Sequence, residues 1–167
     1  MKAIRMLLVF VGALAVLAAP AMAQSKAQAS FAKLKTLAGN WEGTAGGVIS
    51  KVSYRVISNG SVIEETMKNG TEGTMVTIYH IDGDRLMVTH YCGAGNQPRM
   101  VAAPDPSKPN VFAFKFLDAT NLTSEQVGHM RDLVVTLVDQ NHLTQQWTWR
   151  EKTKEEKMEL FKLTRKK

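Results

Sequence analysis

Residues 89–100 read THYCGAGNQPRM, so His90, Tyr91 and the chain's single cysteine, Cys92, occupy three successive positions ahead of a polar loop. On a strand, an imidazole and a thiol two residues apart share one face. As metal ligands they supply two of the three or four donors that zinc needs, with His80 and His129 available only if the fold converges them. As base and nucleophile they are too far apart for a short hydrogen bond unless the strand bulges, and no oxyanion-type loop is recognisable. As pocket lining, Cys92 is a small buried thiol and His90 a hydrogen-bonded imidazole near a cavity mouth, with Asn96 in the turn and Gln97 or Arg99 reaching back to orient it. The third reading asks least of the sequence, so neither a metal ligand set nor a catalytic residue is expected.

Other side chains compete for a role. Trp147 and Trp149 share a face and could stack a ligand or simply pack. Tyr54 and His129 are read as pocket lining or core. Glu64 and Glu65 are neighbours on a strand and point to opposite faces, which argues against a paired acid and base.

Periodicity says which elements must position these groups. Ser30 can cap a short helix from Phe31 to Leu37, with Phe31, Leu34 and Leu37 on one side. Helical patterns then vanish. The stretch 48–58 alternates, with Val52, Tyr54 and Val56 on one face. Asn59-Gly60 reads as a hairpin turn. Further strands follow at 62–68, 74–81, 84–92, 97–103, 111–117, 128–138, 143–150 and 158–164, with Asp82-Gly83 as another two-residue loop and three prolines marking the loop 104–110. With Trp41 to Gly46 as the first, about ten strands follow one another with no segment long enough for a parallel crossover. The expected fold is all-β: an up-and-down antiparallel barrel, closed because closure removes exposed edges, with a short helix ahead of it. A two-sheet sandwich is the alternative. The strands around His90 are half apolar on both faces, so the pattern does not say which face lies inside.

The chain's first residues bear on its compartment. Lys2 and Arg5 precede an apolar run from Met6 to Ala19, and Ala21-Met22-Ala23 suits cleavage before Gln24. The run is shorter than the roughly 20 residues of a membrane-spanning helix. Residues 1–23 are therefore expected to be a signal peptide, 24–30 a flexible lead-in and 31–167 one domain, exported to the periplasm or beyond. Loss of the leader removes Lys2 and Arg5 and no acid, lowering the net charge from +6 to +4. Much of that excess sits near the C-terminus, where lysines alternate with Glu151, Glu155 and Glu156, a solvated hairpin rather than a nucleic-acid face. One cysteine allows no internal disulfide, so a hydrophobic core must carry stability.

Residues 31–43, FAKLKTLAGNWEG, resemble the opening of the calycin superfamily, which includes lipocalins, fatty-acid-binding proteins and nitrobindins. The resemblance implies a helix plugging one barrel end, Gly-x-Trp on the first strand, and Trp41 packing beneath Arg165 from the last strand region. The middle of the chain also resembles exported bacterial barrels of unknown function. Among calycins, nitrobindins bind haem through a C-terminal histidine, but this chain has none after His142, and Val48-Ile49-Ser50 stands where Tyr-Pro-Thr-Ile is expected. The expected function is binding of a small, mostly apolar molecule without catalysis, with no cofactor, no nucleic acid and no membrane association after cleavage. The alternative is a haem- or metal-dependent protein using His90, Cys92 and His129.

Overall fold

The computed structural model describes residues 24–71, 73–158 and 160–167. The expected signal peptide lies outside them. Among the described residues eleven strands follow one α-helix. The helix α1 (Lys26–Lys35) precedes β1 (Gly39–Ala45), β2 (Val48–Ile57), β3 (Val62–Asn69), β4 (Thr74–Asp82), β5 (Arg85–Tyr91) and β6 (Gln97–Ala102). Then come β7 (Val111–Thr120), β8 (His129–Leu137), β9 (His142–Glu151), β10 (Lys154–Lys157) and β11 (Phe161–Arg165). Each strand pairs antiparallel with its sequence neighbour from β1 to β9, and β11 bridges β9 and β1. The sheet therefore has no free end around its circumference. β10 and β11 both pair with β9 and share the tenth strand position, so the barrel is ten-stranded and closed.

Three boundaries differ from the expectation. The helix starts at Lys26 because Ser25, not Ser30, caps it: the Ser25 hydroxyl accepts from the Gln28 amide while the Gln28 side chain returns to the Ser25 amide. Residues 26–30, expected to be flexible, are helical, and Ala27 joins Phe31 and Leu34 on the buried side. The β2–β3 hairpin closes with Ile57 opposite Val62, so four residues turn rather than two, and Ser58, Asn59 and Gly60 all take positive φ. The last strand, expected over 158–164, runs from Phe161 to Arg165, and a separate short strand, Lys154–Lys157, precedes it.

The helix closes one end of the barrel. Leu34 and Leu37 are buried, and the Lys33 ammonium donates to the Pro109 carbonyl in the loop between β6 and β7. Trp41 follows directly, its indole N–H donating to the Leu37 carbonyl at 2.8 Å. Arg165 is its cross-strand partner and holds its guanidinium 4.2 Å from the Trp41 ring centroid. The same guanidinium donates to the carbonyls of Thr36, Ala38 and Gln140. One side chain thus joins the helix end, the first strand and the β8–β9 loop. A planar fork with several donors suits that task better than an ammonium.

Closure also needs space between backbones. A Cβ on Gly43 would lie 1.7 Å from the Lys162 carbonyl oxygen, so β1 and β11 pair at that point only because residue 43 has no side chain.

Arg165→Ala removes the cation–π contact and the guanidinium's hydrogen bonds, and is expected to cost about 2–3 kcal/mol in urea unfolding, with Arg165→Lys recovering only part. Gly43→Ala is expected to destabilise by about 3 kcal/mol, whereas Gly93→Ala, which meets nothing within 4 Å, changes little. Equal midpoints for the two glycine variants would refute the account of closure.

Candidate functional site

The end opposite the helix is open. A cavity of about 730 Å³ descends from it. His90, Cys92, Met67, Met75, Trp147 and Trp149 line much of its wall. The barrel register fixes where each stands. Tyr54 pairs with Glu65, Glu65 with Thr77, and Thr77 with His90, so four polar side chains occupy neighbouring positions on β2 to β5. One step toward the mouth the row becomes Val52, Met67 and Met75, with Cys92 just past the end of β5 on the cavity lining. One step toward the helix it is Val56, Ile63, Tyr79 and Val88. The inner face of β4 and β5 is thus Met75, Thr77 and Tyr79 against Leu86, Val88 and His90, the choice that alternation alone left open.

The polar row is fully buried and closely bonded. The Tyr79 hydroxyl donates to Glu65 Oε2, Gln145 donates to Glu65 Oε1 at 3.0 Å and to the Tyr54 hydroxyl at 2.5 Å, and the Trp147 indole donates to Gln145 Oε1 at 3.0 Å. The Tyr54 hydroxyl is a third partner of Glu65. Burial pushes the Glu65 carboxyl up against the pull of these donors. Burial and the Glu65 charge hold both tyrosines well above the usual phenol range, so each keeps its proton and can donate. Glu64, one residue away, points outward to Arg55 at 2.6 Å. The two glutamates diverge as strand geometry requires.

His90 stands at the edge of this network. Its Nδ1 lies 2.9 Å from the Thr77 hydroxyl, and its ring packs on Trp147 with centroids 4.6 Å apart. Nε2, at the end of the ring away from the backbone, is buried without a hydrogen-bond partner. Burial lowers its pKa to about 4, so the imidazole is neutral at pH 7. Trp149 is seated by a close approach: a Cβ on Gly128 would fall 2.2 Å from its ring.

The other expected residues have distinct places. The Cys92 thiol is half-buried and accepts from the Ala94 amide at 3.5 Å. Asn96 is buried and donates to the Gly128 carbonyl at 2.9 Å, tying the β5–β6 loop to the β7–β8 loop. Gln97 donates to the Gly95 carbonyl and accepts from Thr120, while Arg99 bonds Asp118 on the next strand. His129 packs on Phe116, with Nδ1 2.6 Å from the Val127 carbonyl, and is not among the described residues lining the cavity. The outward His80 meets the Ile81 carbonyl. The structure therefore brings His90, Cys92 and Trp147 to one wall, sets Tyr54 in the row at its base, and places His129 elsewhere. Among the described residues no three His, Cys, Asp or Glu side chains form a metal-holding group.

Sequence reasoning missed Glu65, Gln145, Thr77 and the methionines. The signal for Glu65 was present: Ile63, Glu65 and Met67 alternate on one face, so a carboxylate sits among apolar neighbours. Gln145 joins only through contacts across some 80 residues of chain or more. No protein-family model matches the chain, and no curated protein matches it.

The neutral state of His90 has a stability signature. The unfolded imidazole takes up its proton near 6.5 and the folded one near 4, so stability present above pH 6.5 is lost as pH falls, by about 3 kcal/mol at pH 4. His90→Gln should lack this component in urea unfolding at pH 7 and pH 4. Equal pH slopes in the two proteins would show that His90 titrates as an exposed histidine.

Proposed function

We propose that this is an exported, calycin-like binding barrel that admits a small, mostly apolar molecule through its open mouth and does not transform it. The observation carrying this reading is the cavity of about 730 Å³, within the range of small-molecule sites, whose lining includes four methionines and two tryptophans, with His90, Asn69 and Glu156 as its polar side chains. Such a site gains affinity from apolar burial and orientation from His90. A ligand with one hydroxyl or carbonyl among apolar atoms matches it, because the neutral imidazole can donate or accept at Nε2 according to its tautomer. Export is supported by the leader pattern in residues 1–23. Calycin kinship is supported by the plug helix, the Gly39-x-Trp41 opening and the guanidinium over the indole. A haem or metal chemistry shared by His90, Cys92 and His129 has less support, since only two of the three line the cavity.

A medium-chain fatty alcohol or an environment-sensitive apolar dye is expected to bind at micromolar concentration, corresponding to about −8 kcal/mol. Trp147 and Trp149 fluorescence should respond, since both line the cavity. His90→Ala should weaken the alcohol by about 1–3 kcal/mol and leave a pure hydrocarbon nearly unaffected. A folded protein that binds no apolar probe would overturn the proposal.

A further inference from the structure

The row nearest the mouth is rich in sulfur. Met67 and Met75 are direct cross-strand partners on β3 and β4. The β4–β5 register pairs Thr77 with His90 and Val76 with Tyr91, and Cys92, the next residue after β5, lines the same cavity as Met75. Opposed residues in an antiparallel ladder have Cβ atoms roughly 5 Å apart, a gap that an unbranched thioether spans easily. His90 lies two residues from Cys92 on the same face, with Nδ1 held at Thr77 and Nε2 buried and unpartnered. Of the six methionines after residue 23, four line this one cavity, which sets the mouth apart from the Val56, Ile63, Tyr79 and Val88 row nearer the helix.

We propose that Met67, Met75, Cys92 and His90 form a binding site for one cuprous ion. Thiolate and thioether sulfur select copper(I), and imidazole completes such a set, whereas magnesium or calcium would need a full shell of oxygen ligands, and the described lining supplies only the Asn69 and Glu156 side chains toward one. The nearest buried carboxylate, Glu65, is already occupied by Tyr79, Gln145 and Tyr54. A monovalent cation paired with one thiolate gives a site of zero net charge, which lowers the cost of holding an ion in an apolar wall. Binding forms the metal–ligand bonds and breaks one S–H bond, whose proton leaves to solvent. The copper keeps its oxidation state, so no oxidant or reductant is consumed. This inference shares His90 and the methionine wall with the apolar-ligand reading but does not depend on the cavity volume.

The test is an anaerobic titration of the protein with copper(I) against the coloured chelator bicinchoninate, with X-ray absorption of the loaded protein. The expected result is one copper per chain with sulfur and nitrogen scatterers. Met67→Leu, Met75→Leu and His90→Gln should each weaken binding by about tenfold or more, and Cys92→Ser further. Leucine preserves the volume and apolarity of methionine, so urea midpoints of the two leucine variants should stay near wild type and show an intact fold. Failure of the wild type to draw copper from the chelator would overturn the proposal. So would loss of binding in Cys92→Ser alone, the mark of a solitary thiol, or full-strength binding by Cys92→Ser. Either result would leave the apolar-ligand reading to stand or fall on the dye titration.

Discussion

The barrel depends on one missing side chain. Gly43 sits where β1 meets the last strand, and any Cβ there would run into the Lys162 carbonyl. Without that contact the sheet would keep two open edges, and the cavity would lose a wall. Trp41 and Arg165 hold the same ladder nearer the plugged end, where the guanidinium binds carbonyls of the helix terminus and the β8–β9 loop. Pairing of the first and last strands is thereby coupled to docking of the helix. Once both ends of the sheet are joined, strand number fixes the internal width. The helix fills one end, and the residues at the other decide whether the remaining space is packed or hollow.

The interior divides at the polar row. Below it the barrel is filled by Ile63, Tyr79, Val88, Phe114 and their neighbours. Above it the space opens. The row itself is costly to bury, yet each of its polar groups finds a partner except His90 Nε2. Glu65 tolerates its position because two phenols and an amide point at it, and removing any one would leave a buried carboxyl short of a donor. Gln145 links that carboxyl to the indole of Trp147, so the cavity wall and the network beneath it share a member. A floor held by short directional bonds can fix the orientation of His90, since its ring is trapped between Thr77 and Trp147.

Much of this was legible in the sequence, for definite reasons. Strand count and antiparallel order follow from turn residues and period-two alternation, and the helix from the three-residue spacing of Phe31, Leu34 and Leu37, all of them local properties, whereas its place as a plug was legible only through resemblance. The Trp41–Arg165 contact was legible only through resemblance, as nothing in spacing joins residues 124 apart. The helix start was misplaced because Ser25 and Ser30 are both plausible caps, and only Gln28 completes the box with Ser25. The inner face of β4 and β5 was not legible: Met87 is buried on the far side of its strand from Leu86 and Val88, so both faces carry apolar residues. Glu65 and Gln145 escaped because a buried polar pair looks like two surface residues until the fold brings them together.

The mouth poses a separate physical question, which is why methionine stands where leucine would pack as well. Burial of a methionine side chain costs more rotamer entropy than burial of leucine, so packing alone does not favour the exchange. Methionine offers two things leucine lacks: a wall that reshapes itself at little enthalpic cost, and a polarizable sulfur. The first suits a cavity that must admit occupants of different outline, and the second suits an occupant that shares electrons with sulfur. His90 Nε2 is covered in the present arrangement, so any occupant that reaches it must displace neighbouring wall atoms. A thioether wall beside a fixed imidazole permits that movement without disturbing the polar row beneath, because the row's hydrogen bonds run through Glu65, Gln145 and the tyrosines and through no methionine.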